Sequence, residues 1–286
     1  MHRMHHRSMT SLIHGANGAQ GGPVAAVLRA SGTTVHAAVR DAAAYRGDHH
    51  PVQVDLASAD SLEQAYRGVD GVFVHLPVGA PDVQLAHAHA IVAAVAAARP
   101  GRVVVSTSGY ATTAGTPVGE LVEGIERTGV SLAVVAPRLF LENLLLPTVV
   151  APVRADGVLR YPIRADYRVS WASHLDVADV VARLLTDHAV TGVVGVGALP
   201  GLLGTDLAAG FAAHLRHDVT FEPQDVDAFG ASIEPMFGAE GAAPVVDSYR
   251  WRAEQPDELV DEATSAQRLL GLEPRTVEAW LGDLGV

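Results

Sequence analysis

Short apolar runs alternate with amphipathic or alanine-rich segments through the first two thirds of this 286-residue chain. Most of the runs are continuously apolar, which is typical of strands buried on both faces of a parallel sheet. We predict strands at residues 11–14, 34–39, 52–55, 71–76, 102–106, 131–136 and 191–196, and helices at 21–30, 61–67, 83–99, 119–128 and 174–185. This order of elements predicts the α/β class, with a Rossmann-like, doubly wound parallel sheet.

Glycine and serine residues mark the expected ends of these helices. Ser61, with Gln64 three residues later, has the pattern of a capping box and predicts a helix start. Four of the helices are followed by a glycine, which helix C-caps favour: Gly32, Gly68, Gly101 and Gly129.

A glycine-rich turn between the first strand and the first helix carries the main functional signal. Residues 15–21 read Gly-Ala-Asn-Gly-Ala-Gln-Gly. The glycines permit a tight turn and close approach of the backbone to a pyrophosphate, and the following helix N-terminus offers free N–H groups and a positive dipole. We therefore predict a dinucleotide site formed by Gly15, Asn17, Gly18, Ala19, Gln20 and Gly21.

The second predicted strand ends in Val39 and Arg40. An acidic residue at this place binds the ribose 2′-hydroxyl of NAD, whereas a basic residue suits the 2′-phosphate of NADP. Arg40 therefore predicts NADP(H). Asp41 would favour NAD, but it lies one residue beyond the position that contacts the ribose 2′ group. Asp55 and Leu56 end the third strand, where an adenine ring would lie. The alternatives are a solvated Arg40 and an Asp55 that only caps the following helix.

The character of the sequence changes towards its C-terminal end. Prolines interrupt the pattern from Pro147 onward, and from about residue 199 short helical segments alternate with loops and aromatic residues. We predict a disordered extension at residues 1–8, an NAD(P)-binding Rossmann-like domain at 9–198 and a smaller, mixed C-terminal substrate-binding region at 199–286. This last region is expected over the carboxyl edge of the sheet, where open α/β sheets bind ligands.

Charge and composition argue against several functions. The net charge of −12 and the lack of a basic run disfavour nucleic-acid binding. The absence of cysteine excludes disulfides and thiol catalysis and fits a cytoplasmic protein. No apolar run is long enough for a bilayer, and no membrane association is predicted. His87 and His89 are two residues apart on opposing faces of a predicted helix, so no metal site is predicted.

Six motifs occur in a fixed order along the chain: the glycine turn, Val39-Arg40, Asp55-Leu56, Ala-Pro-Arg-Leu-Phe-Leu-Glu-Asn at 136–143, Asp-Val-Ala-Asp at 176–179 and the ending at 269–281. In order and spacing they resemble the NmrA-like group of atypical short-chain dehydrogenases/reductases over residues 9–286. The segment at 136–143 keeps the proline, phenylalanine, glutamate and asparagine of that group but lacks its leading arginine.

The resemblance implies a Rossmann-like fold that binds NADP(H) across the edge of the sheet. Members of the group divide between reductases of quinones, dyes and similar acceptors and non-catalytic sensors of NADP(H). Some related atypical members catalyse other steps in biosynthetic pathways.

One catalytic device of typical short-chain dehydrogenases is missing. Those enzymes use a tyrosine and, four residues later, a lysine that lowers the tyrosine pKa. Tyr110 follows the fifth predicted strand, but residue 114 is alanine and all 20 basic residues of the chain are arginines. Arginine is a poor substitute because it does not readily lose its proton. The Tyr–Lys mechanism is therefore excluded, although hydride transfer is not, since the cofactor brings its own hydride.

The remaining catalytic candidates lie at the carboxyl ends of the fourth and fifth strands and are Tyr110, His75 and Ser108. His75 is the one that titrates near neutrality, and its alternative role is to line the cofactor. Other cofactor-lining residues are predicted at these and the neighbouring strand ends: Leu76, Pro77, Ser106, Thr107 and Pro137. A flat or apolar substrate is expected to contact Tyr110, Phe140, Asn143, Trp171, Phe229 and Trp251.

The leading hypothesis is an NADPH-dependent reductase of an apolar aromatic, quinone or enone-like small molecule, acting as a monomer or homodimer. The proton would come from Tyr110, His75 or water, and conjugated acceptors need less acid catalysis than simple ketones. The alternatives are a non-catalytic regulatory protein that senses NADP(H), and a non-redox cyclase, dehydratase or isomerase on the same scaffold.

Overall fold

The computed structural model describes residues 9–286, and the extension predicted at residues 1–8 lies outside this range. The strands of the described residues are β1 (Thr10–His14), β2 (Thr34–Val39), β3 (His50–Gln53), β4 (Gly71–Val74), β5 (Val103–Ser106), β6 (Leu132–Pro137), β7 (Val158–Tyr161), β8 (Gly192–Val196) and β9 (Thr220–Pro223).

Helices separate most of these strands. They are α1 (Gly21–Ala30), α2 (Ala59–Tyr66), α3 (Pro81–Ala98), α4 (Pro117–Thr128), α5 (Pro147–Asp156), α6 (His174–Thr186), α7 (Gly204–Leu215), α8 (Val226–Ala253), α9 (Ala266–Leu270) and α10 (Val277–Leu284). Short 3₁₀ turns lie at Leu141–Leu145 and Glu262–Thr264. None of the helices in residues 9–286 combines the length and apolarity that a bilayer crossing requires.

Seven strands form one sheet in the order β3-β2-β1-β4-β5-β6-β8, and the pairs from β3 to β6 are parallel. This order confirms the predicted α/β class and doubly wound sheet. The strand order reverses between β1 and β4, and open sheets of this kind bind ligands outside the carboxyl ends of the strands at such a reversal. The two strand ends that matter most are therefore those at His14 and Val74.

The described chain forms two compact units. The first contains residues up to Ala136 together with Val177–Gly195 and Arg268–Leu272, and the second contains Pro137–Asp176, Val196–Gln267 and Glu273–Val286. The predicted division at 198/199 differs, because it assigns residues 137–176 to the first domain whereas the contacts of those residues group them with the second unit.

Each unit has its own apolar core. In the first, α2, α3 and α4 cover one face of the sheet through side chains such as Leu62, Ile91 and Leu121, which are fully buried. In the second, the two-stranded parallel sheet of β7 and β9 accompanies α5, α7, α8 and α10, and the core is rich in aromatic rings. The long helix α8 is kinked at Gly238, which has non-helical backbone angles.

Three local predictions need correction. Strand β3 begins at His50, earlier than predicted, because an edge strand pairs on one side and tolerates exposed polar residues. Helix α2 is capped by Ser58, whose Oγ accepts the N–H of Ser61 at 3.3 Å. The C-cap of helix α3 is Arg99, in the left-handed conformation, and not the predicted Gly101. Gly101 instead allows close packing against Asp70, because a Cβ there would lie 2.7 Å from the Asp70 carbonyl oxygen.

Candidate functional site

The glycine turn occupies the carboxyl end of β1, as predicted. Gly15 has a φ of +61°, and its carbonyl oxygen accepts the N–H of Gly18 at 2.7 Å. Gly21 opens α1 so close to the turn that a Cβ would lie 2.3 Å from the Gly15 carbonyl oxygen and 2.4 Å from that of His14. The side chain of Gln20, the N-cap residue of α1, makes no capping hydrogen bond. The helix N-terminus and the turn therefore form a backbone cradle of the kind that binds pyrophosphate.

His75 lies against this cradle from the end of β4. A Cβ on Gly15 would lie 2.7 Å from the His75 Nε2 atom, so the glycine makes room for the imidazole ring. The Nε2 atom is buried and has no hydrogen-bond partner among the described residues. Burial lowers the pKa of His75, against a smaller opposing effect of a backbone hydrogen bond at Leu76. His75 is therefore a neutral imidazole at pH 7, with one nitrogen free to bond a ligand.

A second histidine at this strand reversal was not singled out in the sequence. His14, the last residue of β1, is 3% exposed, and its Nε2 lies 2.9 Å from the hydroxyl of Tyr66. Burial raises the pKa of Tyr66, so this phenol stays protonated. Burial and the nearby His75 lower the pKa of His14 to about 3. His14 is therefore a neutral ring that shares a hydrogen bond with the Tyr66 hydroxyl.

Acid is expected to destabilise the protein through His14. The unfolded side chain titrates near its ordinary value of 6.5 and the folded one at about 3, so the unfolded chain binds one more proton between these values. The His14 contribution is complete above pH 6.5 and is lost at about 1.4 kcal/mol per pH unit below it. Urea unfolding should show that lowering the pH from 7 to 5 destabilises the wild type by about 2 kcal/mol more than His14→Gln. Equal losses would contradict the assignment.

Gln20 connects the glycine turn to the end of β5. Its amide nitrogen donates to the Oγ of Ser108 at 2.9 Å, and its amide oxygen accepts the hydroxyl of Ser106 at 2.8 Å. The N–H of Ser108 donates to the Oγ of Ser106 at 3.2 Å. The hydroxyl proton of Ser106 is thus engaged, whereas Ser108 accepts from Gln20 and keeps its own proton for a ligand.

The loop after β5 presents Tyr110. Ser108 and Gly109 have φ values of 54° and 85°, a left-handed pair that turns the chain sharply. Tyr110 is 51% exposed, and its N–H donates to the carbonyl oxygen of Thr107 at 2.9 Å. Helix α4 begins only at Pro117, so Tyr110 and Ala114 lie in a loop and not on a common helix face.

A cavity of about 480 Å³ extends from the glycine turn across the ends of β1, β2 and β3. Arg40 is exposed at this cavity and has no hydrogen bond or ion pair within residues 9–286. The carboxylate of Asp41 is engaged elsewhere, because its Oδ1 accepts the N–H groups of Ala43 and Ala44. The cavity is lined by His14, Gly15, Ala38, Arg40, Gln53, Val54, Asp55, Leu56, Ser61 and His87.

Asp55 is a local turn residue as well as part of this cavity. Its Oδ1 accepts the N–H of Ala57 at 2.9 Å, and its own N–H donates to the Oγ of Ser61 at 3.0 Å. It does not cap α2, since Ser58 does. Asp55, Leu56 and Arg40 therefore meet around one cavity, which the sequence motifs suggested only separately.

The other predicted cofactor residues have varied environments. Asn17, Gly18 and Ala19 are exposed on the turn, whereas Leu76, Ser106 and Thr107 are buried at the ends of their strands. Pro77 is partly buried, and its carbonyl oxygen accepts the Gln84 amide at 2.8 Å. Pro137 is the buried last residue of β6. Their contact with a cofactor stays a prediction.

The predicted substrate residues of the second unit are mostly packed within it. Trp171 and Phe229 are each 1% exposed and contact the ring of Tyr161. The Asn143 side chain lies close enough to Tyr161 to have a small lowering effect on the pKa of that phenol, which burial raises. Packing within the unit therefore explains these three residues, and their contact with substrate stays a prediction.

Phe140 and Trp251 differ in keeping surface exposed. Phe140 is partly exposed with its ring centroid 4.5 Å from that of His174, and Trp251 is 53% exposed. His174 donates its backbone N–H to Glu142, at 3.0 Å. Asp176 forms a reciprocal capping box with Ser173 at the start of α6.

Three features of the site escaped sequence reasoning: the His14–Tyr66 pair, the Gln20 bridge and the position of His87. Each joins residues that are far apart in the chain. The one sequence signal for these contacts is the presence of polar residues at the ends of the strands. Within residues 9–286, no group of three or more histidine, aspartate or glutamate side chains is arranged to hold a metal ion.

Known proteins resemble this chain over almost its whole length. An NAD(P)H azoreductase from Xenophilus azovorans is 27% identical over 279 residues, which cover 93% of this chain and 94% of that protein. An NADPH-dependent quinone oxidoreductase from Escherichia coli has a TM-score of 0.73 at 19% identity, covering 97% of this chain and 100% of that chain. Triphenylmethane reductase from Citrobacter sp. has a TM-score of 0.76 at 16% identity, covering the same shares. At such identities the solved structures establish the fold alone.

The family assignment rests on a match over nearly the whole chain. The sequence profile of the NmrA-like family matches residues 8–281. The match contains the glycine turn, Arg40, His75 and the loop of Tyr110, and it confirms the resemblance inferred from the motifs. The chain therefore belongs to the NmrA-like family.

Proposed function

We propose that this protein reduces a flat, apolar acceptor, such as a quinone, an azo compound or an enone, at the expense of NADPH. The observation that carries the proposal is the cradle at the strand reversal, where Gly15 and Gly21 leave no room for a side chain beside a cavity that ends at Arg40. The related azoreductase uses NAD(P)H, and the related quinone oxidoreductase uses NADPH.

The residues present fit the cofactor in three respects. The cradle offers backbone N–H groups and a helix dipole to a pyrophosphate. Arg40 has a guanidinium group with no hydrogen bond or ion pair within residues 9–286, which suits a 2′-phosphate through paired N–H donors. The buried and unpartnered Nε2 atom of His75 gains a hydrogen-bond partner when a polar ligand occupies the turn.

The bound cofactor supplies the hydride, and the protein orients the reactants and provides the proton. The hydroxyl of Ser108, oriented by Gln20, donates a hydrogen bond to an acceptor oxygen. Tyr110 is exposed enough to exchange its phenolic proton with water. His75 is neutral and lies beside the turn, so it bonds ligand without adding a charge.

The absence of lysine restricts the substrate class. Without a lysine to lower the pKa of the tyrosine, the site is poorly equipped to protonate the oxygen of a simple ketone. A quinone, an azo bond or an enone accepts hydride into a conjugated system and stabilises the resulting charge itself. Phe140 and Trp251 stay predicted substrate contacts, since aromatic surfaces bind planar ligands well.

Steady-state oxidation of NADPH, followed by its absorbance, tests the proposal. We expect turnover with at least one of a panel of quinones, azo dyes, triphenylmethane dyes and enones, and about a tenfold or greater preference for NADPH over NADH. Tight binding of NADPH without oxidation across the whole panel would contradict a reductase. That result, with a partner protein bound differently in the presence of NADP⁺ and NADPH, would favour the sensor.

A further inference from the structure

His87 occupies an unexpected place in the cavity beside Arg40. It lies on α3 and lines the same cavity as Arg40, Asp55 and Leu56. Its Nδ1 atom is buried and has no hydrogen-bond partner within the described residues. Its neighbour His89, two residues further along the helix, is exposed and does not line this cavity.

An unpartnered buried nitrogen is costly, typically by about 1–3 kcal/mol, and this cost is removed when a ligand supplies the missing hydrogen bond. Two neighbouring polar side chains already bond within the protein. The Asp55 carboxylate accepts the N–H of Ala57, and Ser61 accepts the N–H of Asp55. Among the residues that line this cavity, His87 is the one with a buried side-chain nitrogen that has no hydrogen-bond partner within residues 9–286.

The cavity has the character of a site for a heteroaromatic ring. Apolar side chains of Ala38, Val54 and Leu56 contribute to its walls, and its volume of about 480 Å³ lies in the usual range of small-molecule sites. The exposed guanidinium of Arg40 at the same cavity suits a phosphate next to such a ring. A purine combines a flat apolar face with ring nitrogens and an exocyclic amine at its edge.

We propose that His87 hydrogen-bonds the edge of the adenine ring and thereby contributes to recognition of the adenosine half of the dinucleotide. This inference rests on the proposed function, since it requires a dinucleotide in the cavity. It assigns to His87 a specificity role that the motifs of the chain do not contain. The bond is expected to be formed by Nδ1, because that atom is the one left without a partner.

Calorimetric binding of two probes tests the assignment on the full-length protein. The probes are adenosine 2′,5′-bisphosphate and ribose 2,5-bisphosphate, which lacks the base. We expect His87→Ala to weaken binding of the adenosine probe about tenfold and to leave the base-free probe unchanged within about twofold. His87→Asn, which keeps a hydrogen-bonding group, should recover part of the loss. His89→Ala is the matched control and should bind both probes like the wild type.

The outcomes separate this inference from the proposed function. If His87→Ala weakens binding of both probes equally, or of neither probe, the proposed role of His87 is wrong, even if the enzyme oxidises NADPH normally. A wild type that does not bind the adenosine probe would overturn both proposals. Thermal unfolding of each variant without ligand shows whether the fold is kept, and the asparagine variant provides the comparison if alanine unfolds the protein.

Discussion

Replacing Gly21 by alanine is expected to weaken dinucleotide binding strongly and to lower the free energy of unfolding by about 3 kcal/mol. The added Cβ would lie 2.3 Å and 2.4 Å from the carbonyl oxygens of Gly15 and His14. Both are backbone atoms, so no rotamer change relieves the clash and α1 must move away from the turn. Fluorescence titration with NADPH should show an affinity loss of about a hundredfold or more, since the cradle would no longer keep its N–H groups together.

Gly22 provides the matched control for this change. It is the next residue of α1, and a Cβ there would lie 3.5 Å from the Ala16 carbonyl oxygen, an ordinary contact. Gly22→Ala should therefore keep NADPH binding, although no gain in stability is expected, because Pro23 follows and disfavours the helical conformation of an alanine before it. Normal NADPH affinity in Gly21→Ala would show that the close approach of α1 is not required for the cradle.

Local sequence signals were sufficient for most of the fold. Helix α1 and strand β2 have the predicted limits, because a glycine turn, an apolar face and polar flanking residues all agree there. The local signals did not predict features that depend on contacts between distant parts of the chain. Gly101 follows α3 in the sequence, but its lack of a side chain serves the approach of Asp70, while Arg99 adopts the left-handed cap. Such a tertiary contact has no local signature.

The candidate site was predictable to a similar extent. The turn, Arg40 and the polar residues at strand ends followed from spacing and residue type, since parallel strands end at one edge of a sheet. Hydrogen bonds across that edge did not follow. Gln20 and Ser106 are 86 positions apart, and His14 and Tyr66 are 52 apart. Which of several polar residues at an edge bond each other depends on side-chain geometry that pattern alone does not encode.

The strand reversal contains two histidines held without charge by burial. Neither His14 nor His75 adds positive charge to the cradle at neutral pH, because burial lowers the pKa of both. The attraction for a phosphate must then come from the backbone N–H groups, the helix dipole and Arg40. NADPH and NADH differ by one phosphate. Discrimination between them is therefore expected to depend mainly on Arg40, directly after β2.

Arg40→Ala is therefore expected to weaken NADPH about a hundredfold and NADH less than about threefold. A guanidinium group with two N–H donors contributes about 1.5–3 kcal/mol to a phosphate that it bonds directly, and NADH has only an uncharged hydroxyl at that position. Asp41 does not compensate or compete, because its carboxylate is engaged by the N–H groups of Ala43 and Ala44. The measurement is the equilibrium dissociation constant of each cofactor, read from protein fluorescence.

Arg67 is a suitable control for this change, since it is exposed, pairs with Glu63 four residues earlier on α2 and does not line the cavity. Arg67→Ala should leave both dissociation constants unchanged, because a surface ion pair contributes little. If Arg40→Ala weakens NADPH and NADH by the same factor, Arg40 acts on the shared part of the cofactors and the 2′-phosphate must be bound elsewhere. If it weakens neither, Arg40 is a solvated loop residue, and the preference for NADPH loses its structural basis at the end of β2.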